Sequence, residues 1–399
     1  MDIPQEIVDE VIDNLAFDFR TLKSTSLTRK SWTHRSRRRL FYYVPISSLD
    51  RLEQWSMSIS ADPEGIASYP RVILLSQDTP KSWVEPANLA KFYDHFRSFS
   101  RVERLVISGL ETAKFDIIST PRYFGNFAAT VRSLELRTAV GAPAPLLLFI
   151  CAFPLVDDLA VEFPNPTADS GKQGGIVPPP SVPSFKGKLR LLDMFHESDP
   201  FVGLLCTLPL PFHTISVSSR DTGRLPQLAK LVGKCGKTLR SLHITRKTYG
   251  TVLTLIDPRS GTKYNLELLL GSTGVSLASC VALGVLRITV IYPNHLVAIL
   301  GEILPTLSKT ANLSQIVLDA DGRFTREGDM GVSTWNSLDA VMSEYAEKIS
   351  AGHPNRRLAL QVRTDVEGAT GEHDGWAREL VGSLAFFPKV GDVEYISKH

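Results

Sequence analysis

Apolar residues follow two different rhythms along this chain. In the first forty positions they recur three or four apart: Ile7, Val11 and Leu15 stand at i, i+4 and i+8, with Val8 and Ile12 beside them. That spacing lays one stripe on an α-helix. Pro4 stands where a first-turn proline is tolerated, so the pattern predicts a helix from about Pro4 to Leu15. Asp18 can cap a second helix through Leu22 to Ser26, and Thr28 a third that aligns Trp32, Ser36 and Leu40. Helices this short bury too little surface to stand alone, so they should lean on a partner.

From about residue 70 the rhythm becomes a short apolar-x-apolar strand followed, after a gap, by an amphipathic helix. Strands are expected at 71–75, 103–108, 132–137, 157–162, 189–195, 213–219, 240–245, 284–290, 314–320 and 358–363. With Leu105, Leu134, Leu159, Leu192, Ile215 and Leu242 taken as equivalent, the steps are 29, 25, 33, 23 and 27 residues. Irregular periods of this size point to a solenoid of repeats. Two steps, Leu242 to Leu286 and Ile316 to Leu360, are 44 residues each. Either an extra strand, for which Leu266 to Leu270 is a candidate, or a long insertion would account for them. Helical stripes fill the gaps: Leu89, Phe92, Phe96 and Phe99; Leu225, Leu228, Leu231, Val232 and Cys235; Trp335, Leu338, Val341, Met342 and Tyr345. Residues 163–187 break the rhythm with six prolines and four glycines, a composition that excludes helix and central strand and predicts a mobile loop insertion.

Composition narrows the class without naming a function. At 399 residues, 43% hydrophobic and 22% charged, the chain reads as ordinary globular protein and not as collagen-like, wholly disordered or disulfide-stapled. A net charge of +2 gives no global pull toward nucleic acid or membrane. Cys151, Cys206, Cys235 and Cys280 form no CxxC pair and read as buried thiols in a reducing compartment. No secretory signal opens the sequence, and the charge-free window Leu268 to Leu286 carries too many Gly and Ser residues for a good spanning helix. A soluble protein of the cytoplasm, the nucleus or both is expected.

The search for chemistry returns no constellation. There is no GxGxxG, and Gly233-Lys-Cys-Gly236-Lys237-Thr238 lacks the first glycine of a phosphate loop while lying between a helix and a strand, the reverse of the required order. Nine histidines are scattered without an HxxxH or HxH pair. Asp157 and Asp158 are adjacent on a strand, so their side chains point opposite ways and cannot share acid–base work. No metal, no cofactor and no enzymatic activity are expected. Charge is locally polarised: residues 2–18 carry six acids and no Lys or Arg, whereas residues 19–49 carry eight Lys or Arg and no acid. The run Arg29 to Arg39 could contact phosphates or act as a nuclear address. Its spacing fits the solvated face of a third helix balanced by the acidic first, which is the favoured reading, so no nucleic-acid partner is expected.

With the helices placed, residues 3–41 resemble an F-box. The pattern opens with Ile3-Pro4 and Glu6, continues through the apolar helix Ile7, Val11, Ile12 and Leu15, then Leu22, then Leu27 ahead of Arg29-Lys30-Ser31-Trp32, and closes on Leu40-Phe41. Thr28 or its neighbours replace the usual Val-Cys, and Ile3 replaces the usual leucine. The layout as a whole is similar to fungal F-box proteins with degenerate leucine-rich repeats. The resemblance implies a fold of two parts, an F-box-like helical domain at 1–44 and a leucine-rich-repeat-like α/β solenoid at 45–399. It also implies a non-catalytic substrate adaptor of a ubiquitin ligase. Ile3, Pro4, Ile7, Ile12, Leu15, Leu22, Leu27 and Trp32 would serve the contact with a Skp-family linker, through it a cullin, and the repeats would hold a protein target. A scaffold that keeps the F-box fold without ligase assembly is the alternative.

The target surface follows from strand geometry. Flanking apolar residues of each strand point into the core, so the middle residue and its outer neighbours face the opposite, concave wall. Glu135 and Asp193 in the earlier repeats, with His243 and Arg287 in the later ones, are the expected target-binding residues, on a wall that shifts from acidic to basic.

Overall fold

The computed structural model describes residues 4–15, 18–62, 65–76, 83–111, 115, 120–124, 128–138, 143–163, 187–194, 199–208, 212–219, 226–246, 255–256, 263–264, 277–290, 300–301, 303–307, 312–320, 332–352, 357–364, 381–382, 384 and 387–397. They belong to two compact units, Met1–Pro183 and Ser184–His399. No described helix is long and apolar enough to cross a membrane.

The first unit opens with the three helices expected from the apolar stripes, α1 (Gln5–Asn14), α2 (Phe19–Thr28) and α3 (Lys30–Leu40). Asp18 caps α2 by accepting the Thr21 N–H at 3.0 Å, while α3 is preceded by an extended Arg29, Thr28 having been taken into α2. Then follow β1 (Tyr43–Ile46), α4 (Leu49–Ala61), β2 (Val72–Leu75), α5 (Pro86–Lys91), α6 (Tyr93–Ser98), β3 (Arg104–Ser108), α7 (Thr120–Phe124), β4 (Ser133–Arg137), α8 (Pro143–Cys151) and β5 (Asp158–Glu162). These strands pair in chain order and in parallel, with Val44, Ile73, Leu105, Leu134 and Leu159 in one register row. Parallel neighbours require a crossover, and the intervening helices supply it. Leu89, Phe92, Phe96 and Phe99 are all buried as their stripe demands, but two short helices meeting at Phe92 carry them in place of one. Phe124, Phe149 and Phe153 continue this core, with ring centroids 5.5 to 5.8 Å apart.

The expected boundary at 44/45 falls inside β1, so helices and strands join without a linker. Phe41 makes that joint. Its ring stands edge-on to Trp55 at 5.8 Å and stacks on Tyr69 at 6.4 Å, and the Tyr69 hydroxyl lies 3.1 Å from His34 Nδ1.

The second unit contains β6 (Gly187–Met194), α9 (Asp199–Leu205), β7 (Phe212–Ser219), α10 (Pro226–Cys235), β8 (Ser241–Arg246), the two-residue antiparallel pair β9 (Leu255–Ile256) and β10 (Lys263–Tyr264), β11 (Val285–Val290), β12 (Gln315–Ala320), α11 (Val332–Gly352), β13 (Leu358–Thr364) and β14 (Gly391–Ser397). All but β9 and β10 again pair in parallel, each with the next. Leu242 stands opposite Leu286 and Ile316 opposite Leu360. Each 44-residue step is therefore one repeat with a long connection, α11 filling the second; the candidate strand Leu266 to Leu270 lies outside the described residues, as do 164–186 of the expected loop.

One register differs from expectation. Ile215 faces Leu189 and not Leu192, and β6 then becomes irregular between Leu191 and Met194. Within that irregularity Asp193 adopts a left-handed φ of 53°, rare for a residue with a Cβ.

Candidate functional site

Two surfaces merit attention: the helical module and the strand faces turned away from the leucines. In the module, Val8, Ile12 and Leu22 form a small closed core, with Leu15, Trp32 and Leu40 packed against it. Polar bonds also join α2 and α3: Thr25 Oγ1 lies 3.0 Å from the buried Ser36 Oγ and Thr33 Oγ1 donates to the Ser26 carbonyl at 2.9 Å. Asp13 ties α1 to α3. Its carboxylate accepts from Arg39 Nε at 2.7 Å and from Arg35 Nε at 2.8 Å, and these charge-assisted bonds hold it well below the usual carboxylate range.

This arrangement divides the eight expected linker-contact residues. Ile12 and Leu22 are internal, Leu15 and Trp32 half-buried, and Ile3 lies outside the described residues. Pro4 is exposed, and Ile7 and Leu27 remain 52% and 79% exposed. Val11, one turn after Ile7, is 54% exposed. The basic run is partly spent within the fold: Arg35 and Arg39 hold Asp13, Arg37 lies 4.0 Å from Asp62, and the Arg29 guanidinium sits 5.8 Å over the Trp32 ring.

On the strand faces, the expected residues lie on polar rows but are not free charges. Glu135 is only 6% exposed and sits between two arginines, accepting from Arg104 Nη2 at 2.6 Å and Arg137 Nε at 2.7 Å. Burial alone would raise its carboxyl, yet the two guanidiniums outweigh that and keep it below its ordinary value. Asp193 is 7% exposed and within 3.4 Å of Ser218 Oγ. The open acidic wall expected at these positions is corrected accordingly. A buried carboxylate survives because cations or donors from neighbouring repeats reach it.

His243 and Arg287 belong to one network across β7, β8, β11 and β12. His243 Nδ1 lies 3.3 Å from Ser216 Oγ, and Nε2 lies 2.9 Å from Thr289 Oγ1 and 3.1 Å from Thr245 Oγ1. Thr289 in turn donates to Asp319 Oδ2 at 3.2 Å, where Arg287 Nε also bonds. Burial, then the nearby Arg287 charge, push the imidazole down to about 4, so it is neutral at physiological pH. Further along, Gln361 Nε2 donates to Glu394 Oε2 at 2.5 Å and Arg363 Nη2 to Gln361 Oε1 at 2.7 Å. Asp319 and Arg104 escaped the sequence reading; their only signal is a polar residue at an alternate strand position in register with a neighbour.

Much of the phosphate-loop-like stretch is engaged in structure. Lys234 Nζ donates to the Cys206 carbonyl at 2.6 Å and to that of Leu208. Gly236 lies so near Ser279 that a Cβ there would meet the Ser279 carbonyl oxygen at 2.5 Å. Among the described residues no three His, Cys, Asp or Glu side chains are grouped to hold a metal ion. Burial pushes the Cys151 and Cys235 thiols up to about 11, the chemistry of packed rather than reactive sulfur.

No family model matches the chain. No curated protein matches it either. Among solved structures it is similar to a chain from the crystal structure of the Rad7 and Elc1 complex in yeast, at 11% identity and a TM-score of 0.33, over 92% of this chain and 91% of that one. It is also similar to a protein from Bacteroides fragilis, at 12% identity and a TM-score of 0.31, over 88% of this chain and 73% of that one. Likenesses at this level bear on neither partner nor activity. The parallel strands laid down in chain order, with helices between them, rest on the pairing described above.

Proposed function

We propose that this protein is a non-catalytic adaptor of the cytoplasm or nucleus: α1–α3 dock a Skp-family linker of a cullin ubiquitin ligase, and the strand faces hold a protein target. The reading rests on the F-box-like order of residues 3–41. The observation that carries it is the exposure of Ile7, Val11 and Leu27 on a module whose own core is already closed by Val8, Ile12 and Leu22. A core that small has no use for further apolar residues, whereas a partner would bury them. The ligase supplies the chemistry, and the adaptor contributes proximity between a target lysine and a charged thioester.

Ile7, Val11 and Leu27 together are the appropriate test, because Leu22 is fully buried and its truncation would unfold the module. Full burial of such side chains is worth about 1.5 to 3 kcal/mol each, so covering what remains exposed contributes roughly 3 to 5 kcal/mol before association costs. The Ile7→Ser, Val11→Ser, Leu27→Ser variant should keep its melting temperature and lose co-purification with the linker. Undiminished capture of the linker by the folded variant would refute the assignment.

A further inference from the structure

The polar face of the first unit reverses the sign that its sequence suggests. Alternate strand positions place Arg104, Val106 and Ser108 of β3, Ser133, Glu135 and Arg137 of β4, and Asp158, Ala160 and Glu162 of β5 on the side opposite Leu105 and Leu134. Glu135 occupies the middle of that face, but its side chain is 7% exposed, while those of Arg104 and Arg137 are 44% and 46% exposed. What the face presents at its centre is guanidinium, with the carboxylate underneath.

We propose that Arg104 and Arg137 form a receptor for the carboxylate of an acidic segment in the protein target. A guanidinium has five N–H donors in a fixed fork, and the bond to Glu135 takes one from each arginine. Arg104 Nε is buried without a partner, so the donors left for a ligand are those of the terminal nitrogens, and the trio keeps one net positive charge. Glu135 also restricts both arginines before any ligand arrives, which lowers the ordering cost of binding. Carboxylate is the natural complement of such forks. The direction of approach follows from the margin: Asp158, within 3.4 Å of Ser133 Oγ, and Glu162 make the β5 side acidic, so the incoming anion lies over β3 and β4. The inference rests on the reading of the strand faces as a target surface and is independent of the linker contact.

The test uses the full chain and a fluorescein-labelled peptide of repeated Glu-Glu-Gly, with a Gln-Gln-Gly peptide as control, read by fluorescence anisotropy at low ionic strength. The acidic peptide should bind saturably and the control should not. The variant Arg104→Gln, Glu135→Gln, Arg137→Gln, which leaves no uncompensated buried charge, should bind at least about tenfold more weakly. Arg137→Gln alone keeps the Arg104–Glu135 pair and should weaken binding severalfold; it decides the matter if the triple variant fails to fold. Absence of binding, or equal binding by the folded variants, would overturn the proposal. So would an oligothymidylate that binds more tightly than the peptide and depends on the same arginines. Failure of the wild-type chain to bind the peptide while it still captures the linker would sink this inference alone.

Discussion

One added methyl group discriminates between two readings of the junction after α10. At Gly236 a Cβ would lie 2.4 Å from Ser279 Oγ, 2.5 Å from its carbonyl oxygen and 2.6 Å from its carbonyl carbon, whereas at Gly233, within α10, nothing comes within 4 Å. The Ser279 hydroxyl could rotate away, but its backbone cannot, because Cys280 and Leu283 anchor the same turn in the core. Overpacking of this kind costs about 1 to 3 kcal/mol. In a unit of roughly 200 residues each kcal/mol corresponds to about 2 to 4 °C in melting temperature, so Gly236→Ala should melt about 2 to 12 °C lower. Gly233→Ala removes backbone freedom from the unfolded chain at no steric cost and should gain about 0.5 to 1 kcal/mol. Thermal denaturation followed by circular dichroism, with and without magnesium ATP, reads both effects. A junction between repeats gives opposite shifts for the two variants and no response to nucleotide. Equal melting of the two variants, or stabilisation of the wild-type protein by the nucleotide, would refute the argument.

Three further outcomes follow from the charged groups. Asp13 titrates lower in the folded protein than in the unfolded chain, so its stabilisation is present above the unfolded pKa near 4 and disappears as pH falls through the folded one; Asp13→Asn should cost about 1 kcal/mol at pH 7 and progressively less as pH falls below 4, checked by denaturant titration. His243 is also depressed, from 6.5 to about 4, so the unfolded chain takes up the proton first and stability declines between those pH values. His243→Gln should flatten that decline relative to wild type, a difference of the order of 3 kcal/mol. The raised Cys151 and Cys235 thiols predict slow reaction with a disulfide reagent in the native protein and fast reaction once it is denatured.

Local periodicity was legible; contacts between repeats were not. The register row through Leu105, Leu134 and Leu159 follows from apolar-x-apolar spacing alone, because each residue had to face the same core. Tyr43–Ile46 went unread as a strand because four residues with Pro45 at an exposed position give little signal, and Gly391–Ser397 because its apolar residues are only partly covered. Both end an array, where one side is unpaired and proline is tolerated. The left-handed backbone at Asp193 leaves no mark in the apolar pattern of β6, although aspartate is among the residues that tolerate it. At Glu135 the alternation rule gave the correct side of the strand and the wrong exposure, since depth was set by Arg104, 31 residues earlier in the chain. In the helical module the stripe identified Ile7, Val11, Ile12 and Leu22 together, and only packing separated the internal pair from the exposed one.

The most direct measurement of the central claim is hydrogen exchange on the full chain, alone and with a purified Skp-family linker, after size-exclusion chromatography of the mixture. A one-to-one complex is expected in which amide protection rises across α1 and α2, strongest around Ile7, Val11 and Leu27, while the strand faces exchange as in the free protein. Separate elution of the two proteins, or a complex whose new protection falls on the strands and leaves α1 and α2 unchanged, would contradict it.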